Sequence, residues 1–169
     1  MGKFNRFNNF FVSTMVVVFV LLSLSSLAAA QTPQSDPPWG PETPNFNLEV
    51  ILRGEGFGRI KFRQPNDEAF IVYLDTSLRG LAPNTTYLLQ RAVDTNVDDN
   101  CTSTAWLTLG KGLQSQSIMT DATGAGREKL FRNLPALPGS EFDIHFRVIE
   151  EATSAVVLTS KCYQFTISR

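Results

Sequence analysis

One histidine, His145, is all the imidazole this chain has. That excludes the multi-histidine copper and zinc sites of superoxide-dismutase-like sandwiches. A Ser-His-Asp triad would have to use His145, and no G-x-S-x-G elbow presents a serine to it. Only two cysteines occur, Cys101 and Cys162, so there is no thiol cluster for zinc or iron–sulfur chemistry. No stretch beyond the N-terminus carries a convincing period of 3.6 residues, so no helix is expected in the folded domain.

What the N-terminus has is a long uncharged run. Lys3 and Arg6 form a basic start, and from Phe7 to Ser35 there is no charged residue. Phe10–Leu22 is mostly apolar, serines follow, and Ala28-Ala29-Ala30 supplies the small side chains a signal peptidase needs. Residues 1–30 are therefore expected to be a signal peptide, cleaved after Ala30, and the protein is expected to be secreted. The alternative is a signal anchor that keeps the domain outside a membrane. The serines of the second half favour cleavage, after which no membrane contact is expected.

Residues 31–45 hold five prolines, Pro33, Pro37, Pro38, Pro41 and Pro44. They read as an extended, flexible arm that cannot enter a sheet centrally. Removing Lys3 and Arg6 from 15 basic residues leaves 13 against 16 acidic ones, a mature net charge of −3. Charge and compartment both exclude nucleic acid as a partner.

In a secreted chain two cysteines read as one disulfide, Cys101–Cys162. Closing a loop of roughly 60 residues stabilises by roughly 4 kcal/mol in the chain-entropy model. Two N-glycosylation sequons, Asn84-Thr85-Thr86 and Asn100-Cys101-Thr102, fall in expected loops.

From Phe46 the period is two. Alternating or apolar runs near 46–53, 59–63, 69–74, 87–93, 105–109, 116–120, 129–134, 142–148, 155–158 and 163–167 read as short strands separated by Gly, Pro, Asn and Asp turns. Residues 46–169 thus form a single antiparallel domain. Cys162 is out of phase with Tyr163, Phe165 and Ile167. Either a bulge near Ser160-Lys161 re-aims it, or the disulfide clips the outside of the sheet to the Asn100 loop.

Leu78-Arg79-Gly80-Leu81-Ala82-Pro83-Asn84-Thr85-Thr86-Tyr87 resembles the corner between strands E and F of fibronectin type III domains, often L-x-x-L-x-P-x-T-x-Y. The resemblance covers Leu78–Val93. It implies that the Tyr87 ring packs while its hydroxyl bonds to loop backbone. With the strand spacing, it implies an all-β, antiparallel Greek-key β-sandwich of immunoglobulin or fibronectin type, with about eight or nine strands and one disulfide. It carries no information about a ligand.

Three groups of residues are candidates for function. Asp94-Thr95-Asn96-Val97-Asp98 matches the opening of a calcium loop, so Asp94, Asn96 and Asp98 are candidate metal ligands. The match ends there, because Asp99 stands where glycine is required and Ala105 where glutamate is. The bland reading is a polar turn. Arg59, Lys61 and Arg63 share one face of a strand and suit a sulfated or acidic polysaccharide, unless they are the charges that protect a sheet edge. His145 lies opposite the apolar stripe of its strand and reads as a solvated face residue.

The composite expectation is a secreted, non-catalytic extracellular, cell-wall or matrix interaction domain, its partner a protein or polysaccharide. A calcium- or carbohydrate-binding module using Asp94–Asn100 is the second reading, and exposed aromatics such as Trp106 or Tyr73 would favour sugar. A small secreted hydrolase using paired carboxylates is the third.

Overall fold

The computed structural model describes residues 47–65 and 69–168. The expected signal peptide and Pro-rich arm lie outside the described residues, as does most of the Pro65–Glu68 turn. Among the described residues the protein is all-β, with no helix and twelve strands.

The first three strands form a meander. β1 (Asn47–Gly54), β2 (Phe57–Arg63) and β3 (Ile71–Arg79) pair antiparallel in order. The chain then leaves that neighbourhood. β4 (Thr86–Asp94) pairs with β10 (Glu141–Glu150), while β9 (Gly126–Asn133) takes the place beside β3. Four two-residue strands lie between: β5 (Leu107–Thr108), β6 (Gly110–Lys111), β7 (Gln114–Ser115) and β8 (Ile118–Met119). β11 (Val156–Ser160) joins β10 to β1, and β12 (Tyr163–Thr166) pairs with β10.

All these strands belong to one sheet, with the order β5-β4-β10-β11-β1-β2-β3-β9-β6-β7. The sheet nearly closes on itself. β8 pairs with β4, and the next residue, Thr120, bridges to Gly126 at the start of β9. β6 runs parallel to β9, so the sheet is mixed where pure antiparallel pairing was expected. The strand count also exceeds the expected eight or nine, because the 105–120 region is broken up by glycine. Gly110 passes so close to the Gln114 carbonyl that a Cβ would collide with it, and Gly112 has φ +70°. Both conditions force a tight hairpin where one longer strand might otherwise form.

The barrel interior follows the two-residue period. Val50, Leu52, Ile60, Phe62, Leu74, Leu89, Leu130, Phe146 and Val148 are buried together. Phe62 is at the centre of the aromatic packing, edge-on to Phe165 at 4.7 Å and to Phe146 at 6.2 Å between ring centroids. One end is tied by a reciprocal amide pair. The wholly buried Gln64 donates from Nε2 to the Ser168 carbonyl at 2.9 Å, and its Oε1 accepts from Ser168 N–H at 3.1 Å. The Gln64 amide and the Ser168 main chain thus satisfy each other, while the Ser168 hydroxyl is buried without a partner.

At the corner after β3, Tyr87 is 2 % exposed and its hydroxyl accepts a hydrogen bond from Ala82 N–H at 3.1 Å. Thr120 braces the same loop, donating its hydroxyl to the Ala82 carbonyl at 2.7 Å and accepting from Thr85 N–H at 3.0 Å.

Candidate functional site

The Cys101–Cys162 disulfide is formed, with 5.4 Å between its Cα atoms. Of the two suggested explanations of the Cys162 phase, the outer clip holds, and an irregularity of the ladder accompanies it without turning Cys162 inward. Arg147 lies opposite Thr159 and Ile144 opposite Tyr163, so His145 and Phe146 face three residues, Ser160, Lys161 and Cys162. That extra residue is a β-bulge. Phe146 N–H donates to the Ser160 hydroxyl at 2.9 Å in place of a ladder bond. Cys162 comes to lie opposite His145, on the outer side, and there the disulfide holds the Asn100 loop against the sheet.

That loop covers the outer face of β4 and β10. Trp106 lies over it, with its ring 4.6 Å from the His145 ring and 4.1 Å from the Arg147 guanidinium. Arg147 Nε donates to Gln90 Oε1 at 2.7 Å, and the His145 Nε2 is 3.0 Å from the Ser103 carbonyl oxygen. His145 is thus a half-buried loop contact and not the solvated residue expected. Trp106 is half-buried, packed onto the protein's own surface at His145 and Arg147.

The suggested metal ligands are placed by the same loop. The Asp94 carboxylate accepts from Thr102 N–H at 3.2 Å, the Thr102 hydroxyl at 3.0 Å and Ser103 N–H at 3.1 Å. Partial desolvation raises the Asp94 pKa. The hydrogen bonds from Ser103 and Thr102, with the charge of His145 behind them, outweigh it and hold the carboxyl below its ordinary value. Asn96 donates its amide to Asp98 at 2.6 Å, and Asp98 Oδ1 accepts from Asn100 N–H at 3.0 Å. Asp99, where a calcium loop needs glycine, adopts φ +62°. These carboxylates brace the loop, and among the described residues no group of three or more His, Cys, Asp or Glu side chains is arranged to hold a metal.

Both sequon asparagines are exposed. Asn84 sits at the tyrosine corner with φ +50° and donates its backbone N–H to the Asp121 carbonyl at 3.2 Å. Asn100 adjoins the disulfide, and its sequon threonine, Thr102, is held by Asp94.

The basic stripe is larger than the sequence pattern of one strand indicates. β2 is paired on both sides, so Arg59, Lys61 and Arg63 are not guarding an edge. The pairing of β1, β2, β3 and β9 sets their outward side chains in rows: Arg53, Phe57 and Arg79; Arg59, Ser77 and Arg127; Glu49, Lys61, Asp75 and Lys129; Arg63, Tyr73 and Phe131. Seven cations thus share this four-stranded face with two carboxylates, Glu49 and Asp75, giving it a net charge of +5. Glu49 is taken by Arg59. Aromatic rings hold several of the others in place. Phe57 lies between the guanidinium groups of Arg53 at 4.7 Å and Arg79 at 4.3 Å, and Arg63 lies over Tyr73 at 5.4 Å. Arg59, Lys61, Arg127 and Lys129 line a shallow depression across the face together with Asp75, Thr76, Ser77 and Glu128.

Arg53, Arg79, Arg127 and Lys129 escaped the sequence reading because they are spread over three strands, β1, β3 and β9, that are not all consecutive in the chain. Only the strand order brings them together.

No protein-family model matches this chain, and no curated protein matches its sequence significantly.

Proposed function

We propose that this protein is a secreted, non-catalytic extracellular interaction domain whose β1–β2–β3–β9 face binds an acidic polysaccharide. The observation that carries this reading is the charge distribution. A mature chain of net charge −3 concentrates +5 on one sheet face, so the remainder is strongly acidic. Such segregation steers and holds a polyanion at a surface that the overall charge would repel. The arginines stacked on Phe57 lose little further rotamer freedom on binding, which favours a repetitive array of carboxylate or sulfate groups. The disulfide and the charge-free N-terminal run support an oxidising, extracellular setting. The crossed connection from β3 to β4, together with the tyrosine corner, supports classing the barrel with Greek-key, fibronectin-like domains.

Retention on immobilised polygalacturonate and heparin, measured against salt concentration, tests the reading. The mature protein is expected to bind at low salt and elute as screening increases. The double variant Lys61→Glu/Lys129→Glu is expected to lose at least tenfold in affinity without loss of fold. No retention at low salt, or retention that the double variant leaves unchanged, would rule out this face as the binding surface.

A further inference from the structure

Two arginines point into the barrel. Arg91 on β4 lies opposite Phe146 and shares the inward phase of Tyr87, Leu89 and Val93. Arg132 on β9 lies opposite the buried Val72, in phase with the buried Leu130. Both line a cavity of about 220 Å³ whose walls are otherwise almost wholly apolar, with Phe62, Phe146 and Phe165 among them. Among the described residues no carboxylate lines it.

The two guanidinium groups have almost no compensation. Among the described residues neither takes part in an ion pair. Arg132 donates weakly to the Gly112 carbonyl at 3.4 Å, and its Nε is buried with no partner. Burial lowers the pKa of Arg91 below its ordinary value, and the charge of Arg132 adds to the effect. Both arginines are half-buried, and a charge even partly withdrawn from water without a counter-charge is costly. Two such charges, converging on one apolar space, are the arrangement expected where an anion from outside completes the site.

We propose that the barrel interior is a binding site for a small apolar monocarboxylic acid. The carboxylate accepts hydrogen bonds from Arg91 and Arg132, and the hydrocarbon chain or ring packs among Phe62, Phe146 and Phe165. The planar guanidinium fork suits a carboxylate. The cavity exceeds the roughly 150 Å³ void that admits benzene, so it suits a tail of about ten heavy atoms. A sugar acid is disfavoured, because its hydroxyls would find no partners among these walls. This site is independent of the outer basic face.

The test is a calorimetric titration of the disulfide-intact mature protein with decanoate, 3-phenylpropionate and decanol. Saturable one-to-one binding of the acids is expected, with decanol at least tenfold weaker. Arg91→Met and Arg132→Met are each expected to weaken decanoate at least tenfold. Because methionine removes an uncompensated charge at similar volume, both variants are expected to melt no lower than the parent in the absence of acid. In the unsubstituted protein, nuclear Overhauser contacts are expected between the decanoate methyl terminus and the rings of Phe62 or Phe165, which keeps the test decisive should a variant fail to fold. Absence of binding, equal affinity for decanol, undiminished affinity in folded variants, or contacts to Phe57 on the outer face would each overturn the proposal.

Discussion

Asp143, wholly buried on β10, accepts a hydrogen bond through Oδ2 from the backbone N–H of Asp98 at 3.0 Å. Its other oxygen, Oδ1, is buried without a partner. A residue read from sequence as a candidate metal ligand is thus fixed to the sheet by its main chain, through a carboxylate 45 residues away. Asp143→Ala strands the Asp98 N–H and is expected to cost about 1–3 kcal/mol. Asp143→Asn keeps an acceptor and removes a buried charge, so its cost is expected to be smaller. Urea denaturation of both variants, with amide exchange at Asp98 as the local readout, checks the order.

The disulfide closes across 61 residues. Cys101→Ser/Cys162→Ser is expected to lower stability by up to about 4 kcal/mol, the chain-entropy value for such a loop. Melting the parent with and without reductant, beside the double variant, provides the measurement. Reductant should lower the parent's Tm and leave the variant's unchanged.

Tyr87→Phe removes a hydroxyl and nothing else. Ala82 N–H then loses its acceptor while the ring stays packed, and a loss of about 1 kcal/mol is expected. The Thr120→Val variant, which removes bonds to Ala82 and Thr85 in the same loop, should be non-additive with it. A double-mutant cycle by chemical denaturation measures the coupling.

Two exposed carboxyls predict an acid dependence. Asp121 is held below its ordinary pKa by hydrogen bonds from the Thr123 hydroxyl and from the N–H groups of Ala125 and Thr123. Asp94 is lowered by its own loop bonds, against some desolvation. For a carboxyl whose folded pKa lies below the unfolded one, the stabilisation is complete above the unfolded value of 3.8 and disappears as pH falls through the folded value. Stability is therefore expected to decline below about pH 4, and Asp94→Asn and Asp121→Asn should each flatten that decline. Equilibrium unfolding between pH 2 and pH 6, in intervals of about half a unit, follows it.

Millimolar calcium is expected to leave Tm unchanged. The oxygens of Asp94 and Asp98 already accept from Thr102, Ser103, Asn96 and Asn100. A thermal shift with calcium would mean that these bonds exchange for metal coordination.

Most strands were readable because a two-residue period reports directly which side chains meet the core. β3 runs on to Arg79, past the apolar 69–74 stretch, and the polar Asp75, Thr76 and Ser77 hide its continuation in the sequence. Asp75 and Ser77 face outward, and the buried Thr76 satisfies its hydroxyl on the Leu74 carbonyl at 3.1 Å. The tyrosine corner was legible because its contacts are local. The basic face was only partly legible, since it depends on which strand lies beside which, and β9 joins β3 from about 50 residues away. Arg91 shares the inward phase of Tyr87, Leu89 and Val93, but its significance needs Arg132 across the interior. The broken phase at Cys162 signals an irregularity near Ser160-Lys161, but its form depends on the pairing partner, β10.

The stacking of Trp106 on His145 and Arg147 makes the closed loop optically readable. The chain's other tryptophan, Trp39, lies outside the described residues, so a Trp39→Phe variant isolates the Trp106 signal. Emission from Trp106 should respond to any lifting of the loop, which would separate its ring from His145 and Arg147. Its fluorescence can therefore follow loop opening in real time without an attached dye, under oxidising and reducing conditions alike.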